Sequence, residues 1–219
     1  MQDQRAEVDW RDGTVPVARA FDDPYFSLHD GLAETRHVFL RGNDLPARLR
    51  PGFHIAELGF GTGLNLLATL QAATAHPGPI RYTAFEAFPI APEDMARALG
   101  TFPELPAEAL LEPWRAGCTC LTLGPLEVTV IVGDARATLP AWNGRADAWY
   151  LDGFAPARNP EMWGPPLLAE VARHTKPGGS VATYTAAGAV RRALANAGFA
   201  VERVPGYGRK RHMTRGRLA

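Results

Sequence analysis

An α/β fold built on a seven-stranded, mostly parallel sheet with one antiparallel strand is predicted by three observations. Along most of the 219 residues, β-prone runs alternate with segments of helical apolar spacing, the order that winds a parallel sheet. The apolar run His54-Ile55-Ala56-Glu57-Leu58 passes through Gly59-Phe60-Gly61-Thr62-Gly63 into Leu64-Asn65-Leu66-Leu67-Ala68-Thr69-Leu70. That is a strand, a tight turn and a helix start. Two later runs end in a carboxylate, Glu86 and Asp152, where open α/β sheets present side chains to ligands.

The elements follow in order. Residues 1 to 20 are polar and loosely patterned, with Trp10 and an edge-strand candidate at Val15-Pro16-Val17, and read as an arm laid on the domain. Phe21-Asp22-Asp23-Pro24-Tyr25-Phe26-Ser27 mixes aromatics with turn formers. Tyr25 and Phe26 there either line a pocket for a base or anchor the core. Gly31 to Leu40 has helical spacing, and Asn43 to Pro51 holds a short helix between prolines. Ile80 to Glu86 is the second strand and Pro92 to Leu99 a helix, after which three prolines between Thr101 and Thr119 mark an irregular insertion. Cys120 to Leu123 and Leu126 to Val132 form a hairpin about Gly124-Pro125. Ala135 to Leu139 is helical and Ala146 to Asp152 is a strand, followed by a loop from Gly153 to Trp163 stiffened by Pro156 and Pro160. Leu167 to His174 is a helix, Lys176-Pro177-Gly178-Gly179 a turn and Ser180 to Thr185 a strand. Val190 to Ala197 is a helix closed by Gly198, Phe199 to Val204 a strand, and a basic turn at 206–211 enters the last strand. This length predicts one domain over 1–219, with 1–50 as its arm and pocket-lining segment.

Composition excludes some classes. There is no run of eighteen apolar residues, so nothing is expected to span a membrane. The polar opening Met1 to Glu7 is not a secretory signal, which makes the cytoplasm the expected compartment. Cys118 and Cys120, two positions apart, read as reduced thiols, and the six histidines are scattered without ligand spacing, so no metal site is expected. Net charge is zero, yet from Ala186 onward eight basic residues face one acid, Glu202. Such asymmetry points to a polyanionic partner, or to a solvated basic end.

The glycine turn defines the expected ligand. Gly59, Gly61 and Gly63 let the backbone approach a ligand, with the unpaired N–H groups of a helix start behind them. A dinucleotide fingerprint needs glycine at 64, where this chain has leucine, and does not call for the acidic Glu57. A carboxylate suits the ammonium and sulfonium of S-adenosylmethionine and would repel a pyrophosphate. Glu86, about twenty residues on, is placed to accept from the ribose hydroxyls, the alternative being an exposed strand end. Asp134 either receives the adenine amino group or caps the helix after it, or does both. Asp152 reaches the carboxyl edge of the sheet beside an acceptor, the alternative being a cap on its loop. That it orients an amine is what the family resemblance set out below implies. An aspartate with an ordinary pKa near 3.9 is a poor base, so the proton is expected to leave to water or through Tyr25.

Several segments resemble a known family, the methyltransferase domain of bifunctional MnmC proteins and its stand-alone MnmD relatives. They are 23–27, 31–36, 57–65, Phe85-Glu86, Leu151 to Pro160 and Gly206-Tyr207-Gly208-Arg209-Lys210-Arg211. The resemblance runs over nearly the whole chain from Phe21. It implies a Rossmann-like class I S-adenosylmethionine-dependent methyltransferase that methylates the 5-aminomethyl group of (2-thio)uridine at the tRNA wobble position. Phe26, Phe154, Arg158, Arg209, Lys210 and Arg211 are the expected substrate and tRNA contacts. The flavin-dependent oxidase domain of the bifunctional relatives is expected to be separate from, or fused to, this chain, which has no room for it. The rival is methyl or aminopropyl transfer to a small-molecule amine, for which the basic tail has no purpose.

Overall fold

The computed structural model describes residues 5–27 and 30–219; residues 1–4 of the polar opening lie outside them. In chain order the elements are β1 (Val8–Arg11), β2 (Val15–Ala18), β3 (Asp23–Pro24) and α1 (Gly31–Thr35), which runs on through a wider π-type turn, Arg36–Leu40, and a 3-10 turn, Arg41–Asn43. Then come β4 (His54–Leu58), α2 (Leu64–Ala73), β5 (Ile80–Glu86), α3 (Pro92–Leu99), α4 (Ala107–Arg115), β6 (Cys120–Leu123), β7 (Leu126–Val132), α5 (Ala135–Ala141) and β8 (Ala146–Leu151). A 3-10 turn at Pro160–Trp163 leads to α6 (Pro165–Arg173), β9 (Thr175–Thr183), α7 (Gly188–Asn196), β10 (Phe199–Pro205) and β11 (His212–Leu218).

The main sheet runs β10-β11-β9-β8-β4-β5-β7-β6, and β1-β2-β3 form a separate antiparallel sheet. The core pairs β7-β5-β4-β8-β9 are parallel. β11 is antiparallel to both neighbours, as expected, but the sheet has eight strands rather than seven. The eighth is β6, which joins the edge antiparallel to β7.

Alternation along the strands sorts the core into two layers. Ile55, Tyr82, Ala84, Ala148 and Tyr150 face α2, α3 and α4 through Leu66, Leu67, Met95, Leu99 and Leu110. Ala56, Leu58, Phe85, Trp149 and Leu151 face α5, α6 and α7 through Leu139, Leu168, Val171 and Leu194. By the same period of two, Glu57 and Asp152 point to the layer of α2.

Three other expectations are corrected. The insertion at 101–119 contains α4, whose buried Leu110, Leu111 and Trp114 carry the helical period. Pro113 sits inside it and lacks the N–H that would bond the Ala109 carbonyl, so α4 forms with one bond missing from its ladder. The residues between Asn43 and Pro51 form turns instead of a helix, with Arg48 bonded to Asn43 O, Ser180 Oγ and Asp147 O. The 176–179 turn falls within β9, where the register against β8 shifts between Ala146 and Ala148.

Candidate active site

A cavity of about 710 Å³ opens at the carboxyl ends of β4, β5 and β8, and its floor is the glycine turn. β4 pairs with β8 through Leu58 and Leu151, so Gly59 and Asp152 leave the sheet side by side. Asp152 N donates to Leu58 O at 3.0 Å and Gly59 N to Phe85 O at 2.9 Å. Gly59 has φ +88, and a Cβ there would lie 2.2 Å from the Asp152 carbonyl oxygen. Gly61 also lines the cavity, with Tyr25 Cδ1 3.1 Å from where its Cβ would be. Gly63 is placed differently from the expected ligand contact. It caps α2 at φ +77 outside the cavity wall, and a Cβ would meet Leu110 at 2.5 Å.

Glu57 also departs from the expected direct contact. It is fully buried beneath the cavity, and its oxygens accept from Asn65 Nδ2 at 2.7 Å and from the Tyr82 hydroxyl at 2.8 Å. Burial and the neighbouring Asp152 push its carboxyl well above the usual range. It acts on the cavity through Asn65, which sequence reasoning missed. The same Nδ2 donates to Asp152 Oδ2 at 2.6 Å, while Thr35 Oγ1 donates to Asn65 Oδ1 at 2.9 Å. One amide thus holds two carboxylates, and the available signal was a polar residue, Asn65, in the first turn of the mostly apolar α2.

Asp152 lines the cavity. Burial moves its carboxyl up to about 7, opposed by the Asn65 bond and by Lys210, and assisted by Glu34 and Asp23. The premise of an ordinary aspartate therefore fails, and Asp152 is poised to exchange a proton near neutrality. The Tyr25 phenol is shifted upward as well. Burial first, then Glu86 and Asp94, raise it, so it stays protonated, and it lines the cavity beside Gly61.

Glu86 is on the opposite wall. Its Oε2 accepts from Gly61 N at 2.9 Å and its Oε1 from Phe88 N at 2.8 Å, leaving each oxygen a lone pair. Burial raises its carboxyl against the pull of these backbone N–H groups. Asp134 caps α5 by accepting from Arg136 N at 2.8 Å and also lines the cavity. The Arg136 guanidinium, 2.6 Å away, holds its carboxyl below the usual range.

The expected acceptor residues divide. Phe26 lines the cavity and meets Phe102 edge-on at 5.1 Å; Phe154 stacks on Phe21 at 4.8 Å and meets Tyr25 edge-on at 5.2 Å. Arg158 is outside, paired with Asp22 at 3.1 Å. Arg209 lines the cavity and Arg211 is exposed beyond it. Lys210 turns inward, with Nζ 2.8 Å from Glu34 Oε1 and 4.1 Å from the Tyr184 ring centroid. Glu34, Tyr184 and Asp23 were also missed, the last accepting from Ala155 N at 2.7 Å to hold the loop after β8. Among the described residues no group of three or more His, Cys, Asp or Glu could hold a metal, and no helix is long and apolar enough to cross a membrane.

The cavity fits a cationic nucleoside. Among the described residues six carboxylates line it against four basic side chains, and the wall glycines Gly59 and Gly61 admit a ligand to the backbone. Fold and cavity together define a class I methyltransferase that uses S-adenosyl-L-methionine. Residues 104–219 match the model of a family described as S-adenosyl-L-methionine-dependent methyltransferase, and the chain belongs to that family. The chain is 46% identical over 231 residues to a tRNA 5-methylaminomethyl-2-thiouridine biosynthesis bifunctional protein MnmC from Stutzerimonas stutzeri, covering 98% of this chain and 35% of that protein. The protein of the same name from Pseudomonas aeruginosa is 48% identical over 228 residues, covering 97% and 35%. The chain spans about a third of the length of these relatives. A crystal structure of MNMC2 from Aquifex aeolicus superposes with a TM-score of 0.76 at 26% identity, over 99% of this chain and 72% of that one.

Glu86→Ala is expected to weaken S-adenosyl-L-methionine binding by about 1–3 kcal/mol, the range for hydrogen bonds to a charged acceptor. Unchanged affinity by calorimetry would remove Glu86 from the donor site.

Proposed function

We propose that this chain methylates the primary amine of 5-aminomethyl-(2-thio)uridine at the wobble position of tRNA, giving the 5-methylaminomethyl form. The observation that carries the reading is Asp152. It is a carboxylate at the sheet edge with its pKa near 7, facing an acidic, aromatic-walled cavity whose rim is basic. The name of the longer relatives, tRNA 5-methylaminomethyl-2-thiouridine biosynthesis bifunctional protein MnmC, supports the same acceptor.

S-adenosyl-L-methionine supplies a methyl group on a sulfonium, whose transfer to nitrogen breaks one C–S bond and forms one C–N bond. The protein's own residues do the rest. Asp152, fixed by Asn65, orients the amine and accepts its proton. Glu57 holds Asn65, and Glu86, with Gly59, Gly61 and Asp134, binds the nucleoside end of the donor. Phe26 and Phe154 flank the base, and Arg158, Arg209 and Arg211 meet tRNA phosphates. We take 1–219 as one methyltransferase unit, with 1–50 as arm and pocket lining. It works in the cytoplasm with a flavin-dependent oxidase domain, fused or separate.

The acidic lining equally favours a small-molecule amine as acceptor, so the rim decides between the two readings. Neutralising Arg209 and Arg211 together is expected to weaken tRNA binding and lower the log-log salt slope by roughly 1.4–1.8, since each lost phosphate contact removes about 0.7–0.9. An unchanged slope favours the small acceptor. The direct assay is labelled donor with aminomethyl-stage tRNA, followed by nucleoside analysis; no label in 5-methylaminomethyl-(2-thio)uridine overturns the reading.

A further inference from the structure

We propose that Glu34, the face of Tyr184 and Asp152 form a subsite for the protonated primary amine of the acceptor, and that Lys210 fills it with its own ammonium until the acceptor displaces it. The proposal rests on the aminomethyl reading above. It starts from composition, because the chain has 21 arginines and only two lysines, Lys176 and Lys210. A lysine ends in the same group as an alkylammonium substrate, a compact point charge, whereas a guanidinium does not. Lys176 pairs with Asp147 at 2.6 Å, near the first residues of β8 and β9 and so at the other end of the sheet. Lys210 is the one in the cavity.

The surroundings of Lys210 are those of a cation site. Glu34, its side chain only 11% exposed, is a nearly buried carboxylate that needs a positive partner. The Tyr184 ring is within cation–π range, and its hydroxyl donates to Gly153 O at 2.8 Å, which fixes the ring. Glu34, Tyr184, Asp152 and Lys210 line one cavity, and Glu34 and Lys210 both bear on the charge of Asp152.

The cage is thus built on α1 and the residues following β8 and β9, while its occupant comes from the turn between β10 and β11. That turn carries Gly208 at φ +58 with open space around it. An incoming ammonium can take over both the Glu34 pair and the Tyr184 face, after which Lys210 swings out beside Arg209 and Arg211. Acceptor entry therefore adds a positive charge to the rim. A hydroxyl acceptor has no charge to exchange for that of Lys210, so the subsite selects amines.

The test uses the full chain with 15N-labelled lysine, whose two ammonium signals are assigned with Lys210→Met. The probe is free 5-aminomethyluridine, which carries no phosphate, with uridine as control. The expected result is that 5-aminomethyluridine moves the Lys210 signal and leaves that of Lys176, while uridine moves neither. Lys210→Met should bind 5-aminomethyluridine roughly twofold to fivefold more tightly, and Glu34→Gln less tightly by a similar factor, as for one ion pair gained or lost. An unmoved Lys210 signal, or a Lys210→Met protein that binds the nucleoside no better than the parent, overturns the proposal. The tRNA methylation assay stands apart. Methylation with an unmoved Lys210 rejects the subsite alone, and displacement without methylation rejects the reaction alone.

Discussion

Replacing Asp152 with asparagine is expected to slow single-turnover methylation of aminomethyluridine tRNA by about a hundredfold or more at saturating donor, as for loss of an oriented electrostatic group. The asparagine oxygen can still accept from Asn65, so geometry survives while the charge and the proton-accepting capacity go. The parent rate should rise with pH through the titration of Asp152, about 7 in this structure, and at lower pH once bound cations favour its charged form. Stability provides a second readout. Between about pH 4, where an unfolded aspartate titrates, and about 7, the native protein holds a proton that the unfolded chain has lost. The parent therefore loses stability as pH rises through that window, and Asp152→Asn lacks the share that Asp152 contributes while the raised Glu57 and Glu86 carboxyls keep theirs. Thermal melts should show the variant more stable at pH 8, with the gap closing toward pH 4. A folded variant that methylates at the parent rate would exclude this carboxylate from the chemistry.

Gly59→Ala is expected to destabilise the fold by about 3–5 kcal/mol and to remove measurable donor binding. A methyl group 2.2 Å from the Asp152 carbonyl meets backbone, not a flexible side chain, so β4 and β8 would have to part where the site begins. Its φ of +88 adds the left-handed cost. Gly52→Ala isolates that cost, because Gly52 has φ +77 and nothing within 4 Å; it should lose only about 1–2 kcal/mol. Equal losses by urea unfolding would show that close approach is not the constraint at Gly59.

The alternation of apolar residues made the central strands and flanking helices legible, because each carries its period within one segment. What escaped were a helix whose spacing is interrupted by prolines and features set by the partners a segment meets in the fold. The prolines at 103, 106 and 113 masked the spacing of Leu110, Leu111 and Trp114 that builds α4. The place of β6 in the main sheet depends on its pairing with β7 at the edge. Gly59, Gly61, Glu86, Asp134 and Asp152 do line one cavity, because strand ends and the turn after a first strand have positions that the fold dictates. Glu57 and Lys210 were legible as charges but not in orientation. The partner of Glu57 is eight residues away on a helix, and that of Lys210 lies across the molecule on α1. No local pattern reports such pairings.

The single amide of Asn65 joins α2 to β4 through Glu57 and to the end of β8 through Asp152. The turn bearing Lys210 is held by its pair with Glu34 and by two backbone bonds, Gly206 N to Arg211 O and Lys210 N to Tyr207 O. The surroundings of Asp152 and the turn bearing Lys210 are therefore expected to open as different cooperative units. In deuterium exchange, protons around Asp152 should be released only when the whole sheet opens, and those of residues 206–211 on a much faster clock of their own. On the proposed reading, an arriving acceptor would find Asp152 already set and reorganise only the turn that carries Lys210.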